Sequence, residues 1–257
     1  MRLRHLLFFI TIIITVTSLS AQKNTWQFGA RAGISIPNLK AADESANTID
    51  AGYKSILAPF YGLQLQYNLN TRWSLVTEIN YSSQGGQKLG DQKLSTSGFE
   101  AIFPVPPGSS LPPYLYAQFD NKVNINYIEV PLMVKYHFIT HQKFNIAAQA
   151  GVYAGYLLYA HNVARGKGKL YLDANYSQLF FPNDIVFDND QDIKEQLNTI
   201  NLGIQGGGTF SYHLSKQLDI QFSGGGTYGL RRLQRDTKYG NNKTGALILS
   251  LGASYHF

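Results

Sequence analysis

Leu247-Ile248-Leu249-Ser250-Leu251-Gly252-Ala253-Ser254-Tyr255-His256-Phe257 sets an apolar residue at every second position and closes on an aromatic ring. In an extended chain successive side chains leave on opposite faces. Leu247, Leu249, Leu251, Ala253, Tyr255 and Phe257 therefore share one side, and Ile248, Ser250, Gly252, Ser254 and His256 the other. One face is greasy and the other small and mostly polar, so the stretch is predicted to be a strand between an apolar medium and a polar interior.

The same alternation recurs seven times upstream. Trp26 to Ile36 sets Trp26, Phe28, Ala30, Ala32, Ile34 and Ile36 against Gln27, Gly29, Arg31, Gly33 and Ser35. Phe60 to Leu69 alternates Tyr61, Leu63, Leu65 and Tyr67 with Gly62, Gln64, Gln66 and Asn68, and Trp73 to Ser82 sets Leu75, Thr77, Ile79 and Tyr81 against Ser74, Val76, Glu78 and Asn80. In Val123 to Phe138 the residues Ile128, Val130, Leu132, Val134, Tyr136 and Phe138 oppose Glu129, Pro131, Met133, Lys135 and His137. Ile125 and Tyr127 fall in the opposite phase, which predicts a bulge, or a strand leaving the membrane, near Tyr127. Phe144 to Leu158, Thr199 to Tyr212 and Leu218 to Leu230 complete the set.

The connections alternate in length. Those after the second, fourth and sixth segments are a handful of residues, whereas Pro37 to Ser55, Ser83 to Lys122, Tyr159 to Asn198 and Arg231 to Lys243 are long. Loops of that length are out of place in a compact soluble domain but normal outside a membrane cylinder with short periplasmic turns. The fold predicted is all-β: an eight-stranded antiparallel up-and-down transmembrane β-barrel with long extracellular loops.

A lipocalin-like soluble barrel has the same period with its apolar face turned inward. Two features favour the membrane form. Charges and amides (Arg31, Glu78, Glu129, Lys135, Asp219, Gln64, Gln66, Gln149, Gln205, Gln221) keep to one phase, and aromatics such as Trp26, Trp73, Tyr136, Phe144, Tyr212 and Tyr255 gather at segment ends, as in interfacial girdles. The amino terminus agrees. Arg2 and Arg4, the apolar run Leu6 to Val16 and the small residues Ser18-Leu19-Ser20-Ala21 read as a secretory signal peptide over residues 1–21, leaving 22–257 as the barrel domain. The run is too short for a lasting membrane helix.

Composition excludes other classes. The 24 glycines, 17 tyrosines and 15 phenylalanines come with no cysteine, so neither disulfides nor a lipid anchor on cysteine contribute. The formal charge of +6 becomes +4 without Arg2 and Arg4, too small and dispersed for a nucleic-acid partner.

Tyr127-Ile128-Glu129-Val130-Pro131-Leu132-Met133-Val134-Lys135-Tyr136 resembles the fourth strand of the PorT-type outer-membrane β-barrel family of Bacteroidota. Ala150 to Leu158 and Asn201 to Gly208 resemble its fifth and sixth strands. The resemblance implies an eight-stranded barrel in the outer membrane and brings no catalytic residue with it. The aromatic end is similar to that of bacterial outer-membrane barrels, which implies that Tyr255 and Phe257 are read by the barrel-assembly machinery.

Candidate chemistry is sparse. Gly224-x-Gly226-x-x-Gly229 matches a dinucleotide fingerprint by letter, but Leu230-Arg231-Arg232-Leu233 and a turn-rich stretch follow instead of a helix. With Gly206-Gly207-Gly208, these glycines are read as allowing curvature in a narrow barrel. Asp188-x-Asp190-x-Asp192 begins like a calcium loop but has Ile193 at the sixth position and Thr199 at the twelfth, so a solvated acidic loop is the better reading. The histidines show no paired metal-ligand spacing, and no cofactor is expected. A rim-located hydrolase would need a nucleophile and a base; there is no G-x-S-x-G, and a serine or aspartate beside His161 is the contact that would favour it.

Eight strands leave an interior that side chains can fill, whereas a water channel takes about sixteen. A small-pore porin is therefore the weaker expectation. Arg31 and Glu78 stand at similar heights on strands that rise together, which predicts an Arg31–Glu78/Glu129 charge network in the lumen, with Lys135 on the same face. Outside, Arg165, Lys167 and Lys169 in one long loop and Arg231, Arg232, Arg235, Lys238 and Lys243 in the next are expected at the level of lipopolysaccharide phosphates. The function read from this is non-enzymatic: surface interaction, or an accessory role in an envelope or secretion complex.

Overall fold

The computed structural model describes residues 25–41, 52–96, 111–236 and 241–257. In chain order they form β1 (Trp26–Ala41), β2 (Ala58–Asn68), β3 (Trp73–Lys88), β4 (Asp91–Ser95), β5 (Tyr114–Gln118), β6 (Asp120–Thr140), β7 (Phe144–Arg165), β8 (Lys167–Tyr171), β9 (Leu179–Val186), β10 (Asn189–Asp192), β11 (Ile200–His213), β12 (Leu218–Gly229) and β13 (Asn242–His256). Eight of these close a cylinder in the order β7-β11-β12-β13-β1-β2-β3-β6, and β6 returns to β7. All neighbours are antiparallel. The first and last strands form the seam, running from Gln27 opposite His256 to Ala41 opposite Asn242. Closure leaves no unpaired edge, as spanning a bilayer with strands requires.

Exposure is inverted relative to a soluble barrel. Leu132 and Leu251 are each 60 % exposed, whereas Gln66 and Glu78 are each 1 % exposed. β2 shows the rule residue by residue: Phe60, Gly62, Gln64 and Gln66 are buried and Pro59, Tyr61, Leu63 and Leu65 are not. Only a barrel surrounded by lipid hides the amides and shows the leucines.

Aromatic rings pair around the short-turn end. Trp26 meets Tyr67 at 4.6 Å, Trp73 meets Tyr136 at 4.7 Å, Tyr136 meets Phe138 at 5.0 Å, Phe144 faces Phe210 at 6.1 Å and Tyr255 meets Phe257 at 5.2 Å. Phe144 and the exposed Tyr156 lie on one strand. At about 3.3 Å per residue and a tilt of about 40° they bracket a band about 30 Å tall.

The principal departure from the sequence reading lies beyond that band. β6 and β7 run for 21 and 22 residues, twice the roughly 9–11 that crossing requires. β3, read as ending at Ser82, continues to Lys88. The segments read as loops, Ser83 to Lys122 and Tyr159 to Asn198, instead build a second sheet in the order β4-β5-β8-β9. It has its own core of Leu115, Ala117 and Leu170 against Leu94, Phe119, Phe180, Phe181, Ile185 and Phe187, and Phe119 stacks on Phe187 at 4.5 Å. The register shift on β6 falls between Asn126 and Tyr127, at the predicted phase change. Past it the interior changes character: Leu39, Val123, Ile125, Tyr127, Leu157, Ala160, Leu197 and Leu233 form a buried apolar cluster. The barrel is inside-out within the lipid band and ordinary above it. Residues 1–21 and Lys238 lie outside the described residues.

Candidate functional site

The lumen has three levels. At mid-height Arg31 of β1 projects between two glycines, because Gly62 of β2 and Gly252 of β13 are its cross-strand partners. A Cβ on Gly62 would lie 2.2 Å from Asn80 Oδ1, and one on Gly252 would lie 2.8 Å from Arg31 Cβ. The space they leave lets the guanidinium reach across to β3, where Nη2 donates to Glu78 Oε2. Asn80 Nδ2 donates to the same oxygen at 2.8 Å. Glu129 does not join this pair. It is buried on β6 and accepts from Gln84 Nε2 at 3.2 Å, on the part of β3 read from sequence as loop. Lys135 Nζ donates to Gln66 Oε1 at 2.9 Å. The four predicted lumen residues are thus all inward, but they form separate polar clusters.

Above this layer lies the buried apolar cluster around Tyr127 and Leu157. On the other wall Gly206, Gly207 and Gly208 stand opposite Gly226, Gly225 and Gly224 in register. A Cβ on Gly207 would be 2.5 Å from the Gly224 carbonyl oxygen, so the two glycine runs permit a backbone approach that side chains would prevent. Only about 20 Å³ of cavity remains beside them.

Below lies an open vestibule of about 400 Å³ at the short-turn end, lined by Gln66, Lys135, His137, His213, Asp219 and His256 among others. Asp219 is buried and is gripped from both sides, with His213 Nδ1 2.7 Å from Oδ1 and His256 Nε2 2.8 Å from Oδ2. The far nitrogen of His256 lies 3.0 Å from Gln27 Nε2. His137 contacts Ser74 Oγ at 2.8 Å and Asn145 Oδ1 at 2.9 Å. Sequence spacing missed the His213–Asp219–His256 group, because two members face each other across a hairpin and the third comes from the closing strand. The available signal was parity combined with hairpin register: all three belong to the inward phase.

The outer basic residues divide. Arg165 ends β7 and donates to the carbonyls of Ala164 and Asn189 at 2.8 and 3.0 Å. Lys167 pairs with Asp184 at 3.5 Å, and Lys169 stands on β8 of the outer sheet. Arg231 and Arg232 are exposed. Arg235 is committed, its Nε donating to Leu197 O at 2.6 Å and its Nη2 to Thr199 Oγ1 at 3.0 Å. Lys243 lies 5.8 Å from the centre of the Tyr228 ring.

The three loop aspartates do not converge. Asp188 accepts from Gly166 N at 2.9 Å, Asp192 from Lys194 N at 2.7 Å, and Asp190 contacts His161 Nδ1 at 2.7 Å. The last contact is the one a rim-located base would use for orientation. His161 stacks on Tyr159 at 4.2 Å, and among the described residues no serine is hydrogen-bonded to it. In the turn between β8 and β9 Asp173 accepts backbone N–H groups of Asn175, Ser177 and Gln178. These donors, Gln178 foremost, hold its carboxyl below the usual aspartate range.

The family model for the outer membrane protein beta-barrel domain matches residues 20–235. Among solved structures the chain is similar to a major outer membrane protein from Thermus thermophilus, at 13% identity and TM-score 0.47 over 92% of this chain and 100% of that one. It is also similar to Neisserial surface protein A, at 13% and 0.43 over 91% and 100%, and to Outer Membrane Protein W of E. coli, at 13% and 0.40 over 93% and 100%. No curated protein matches the chain.

Proposed function

The chain belongs to the outer membrane protein beta-barrel domain family, and on that premise we propose that it is a closed, non-enzymatic barrel that holds a folded outer sheet at the cell surface for interaction with other surface components or as an accessory of an envelope complex. One observation carries this reading. β6 and β7 extend far past the lipid band and carry a four-stranded sheet with its own core, while the inward Glu78, Asn80 and Glu129 of the barrel beneath it are buried. A diffusion channel needs an open lumen; the inward Arg31–Glu78 pair and the apolar cluster around Tyr127 and Leu157 support a filled one. Short turns face the periplasm in such barrels and long segments face outward, which supports a second sheet outside the cell.

The Tyr127 to Tyr136 element supports placing the chain with the PorT-type barrels of Bacteroidota, and Arg2 to Ala21 supports cleavage of a signal peptide. Lipopolysaccharide phosphate is the ligand class for the exposed Arg231 and Arg232, and the barrel-assembly machinery for Tyr255 and Phe257. The test is paired. Purified protein in a planar bilayer should show no porin-sized conductance, and intact cells should bind an antibody raised against the β4–β9 sheet. Steady open-channel current from the unaltered protein, or a sheet reachable only after the outer membrane is opened, would refute the reading.

The His161–Asp190 contact keeps a second reading in view, a hydrolase at the outer rim. Lipid-ester or peptide hydrolysis by the purified barrel, lost in His161→Ala, would establish it.

A further inference from the structure

We propose that His213, Asp219 and His256 form a binding site for one divalent transition-metal ion at the periplasmic mouth of the barrel. The three ligand atoms lie within 4.8 Å of one another. They come from three adjacent strands: His213 ends β11, Asp219 is its register partner on β12, and His256 ends β13 beside it. Two imidazoles and one carboxylate are a ligand set that zinc and ferrous ions share. Ligand atoms in a tetrahedral site with bonds of about 2.0–2.2 Å stand about 3.3–3.5 Å apart. The present separations of 2.7 and 2.8 Å from Asp219 to the two histidines, and the 4.8 Å within which all three ligand atoms lie, therefore call for side-chain adjustments.

Two further features fit an ion. Gln27 lies 3.0 Å from His256 Nδ1, where a partner for the far ring nitrogen of a metal-bound histidine belongs. With its amide carbonyl turned toward the ring, Gln27 accepts the Nδ1 proton and leaves Nε2 free as a ligand. The group also opens onto the vestibule of about 400 Å³, which gives room for a water in the fourth position. Lys135, the cation lining the same space, is bound to Gln66. As neutral imidazoles bind, the protons now shared with Asp219 shift to the far ring nitrogens, and the carboxylate exchanges two hydrogen bonds for one metal bond. The ion would join β11, β12 and β13 beside the seam with β1, clamping the strand that closes the barrel.

The test uses the untagged full chain folded in detergent micelles, with zinc chloride as the probe. One zinc per chain should bind, raise the unfolding midpoint and be removed by a chelator. His213→Ala with His256→Ala should abolish the effect, and Gln27→Ala should weaken binding by about 10- to 100-fold. His141→Ala, a histidine in a neighbouring turn, should bind as the parent does. Cobalt chloride added to the unaltered protein supplies a readout that does not depend on any variant folding: intense tetrahedral visible bands saturating at one equivalent are expected. Weak octahedral absorption only, no zinc effect on the parent, or equal zinc binding by parent and double variant would each overturn the site and leave the group as a hydrogen-bonded clamp.

Discussion

Arg31 shows how one side chain is committed by its neighbours. Its cross-strand partners on both sides are glycines, so its guanidinium passes over Gly62 of β2 to Glu78 on β3, a strand with which β1 is not paired. Removing one member of a buried ion pair leaves the other charge uncompensated, at a cost of about 3–5 kcal/mol. Glu78→Ala should therefore lower the temperature at which the folded band converts to the unfolded one on a heat-modifiability gel, and Glu78→Gln should do so less. An unchanged conversion temperature in Glu78→Ala would mean that the pair does not support the barrel. The Arg31–Glu78 contact was legible in sequence, since both residues are inward and equally high. The partner of Glu129 was not, because Gln84 belongs to a stretch that reads as loop.

Asp173 offers a second residue-scale test, outside the membrane. Its folded carboxyl is held below its unfolded value by backbone donors. The stabilisation is thus fully present above about pH 4 and is lost as the pH falls through the depressed folded value. The Ser177 and Gln178 amide resonances should stay fixed down to the ordinary aspartate range and shift only below it. A midpoint at or above that range would show that the turn does not hold the carboxylate.

Among elements, the facing glycine runs of β11 and β12 and the β6–β7 hairpin matter most. Gly207→Val would drive its side chain into the Gly224 backbone, and overpacking of this kind costs about 1–3 kcal/mol or more. The folded yield from urea-denatured protein should fall sharply. Yields equal to the parent would show that the curvature does not require glycine there. The hairpin's upper half is held by apolar burial, as in a soluble domain. Leu157→Ala, which opens a hole in that cluster, should loosen it by about 2–5 kcal/mol. Proteinase digestion should then cut the β4–β9 sheet faster while the membrane barrel stays heat-modifiable; collapse of both together would show that the extension and the barrel are one cooperative unit. The start of the extension was legible at Tyr127, where the apolar phase switches. The second sheet was not, because its strands are five to eight residues long and carry no sustained alternation.

For the whole molecule, the pairing of β1 with β13 joins the two ends of the strand sequence in one closed sheet. Phe257 N–H donates to Trp26 O at 2.9 Å, and its ring packs edge-on against Tyr255 on the lipid face. Changing Tyr255 and Phe257 to Ser removes outward aromatics without touching the lumen. Membrane insertion in cells should drop severalfold while the purified variant still refolds in detergent. Equal insertion of variant and parent would remove the assembly role for these two rings.

Alternation, charge parity, aromatic placement and the rhythm of turn lengths determined the class of fold, its strand number and which residues face inward, because each follows from side-chain direction along an extended chain and needs no partner. Register belongs to the tertiary structure. It decided that Glu129 answers Gln84 instead of Arg31, that Arg235 is tied to Leu197 and Thr199, and that His213, Asp219 and His256 meet at one point. Such meetings depend on how far each strand slides against the next before the cylinder shuts, and no single strand's sequence contains that displacement.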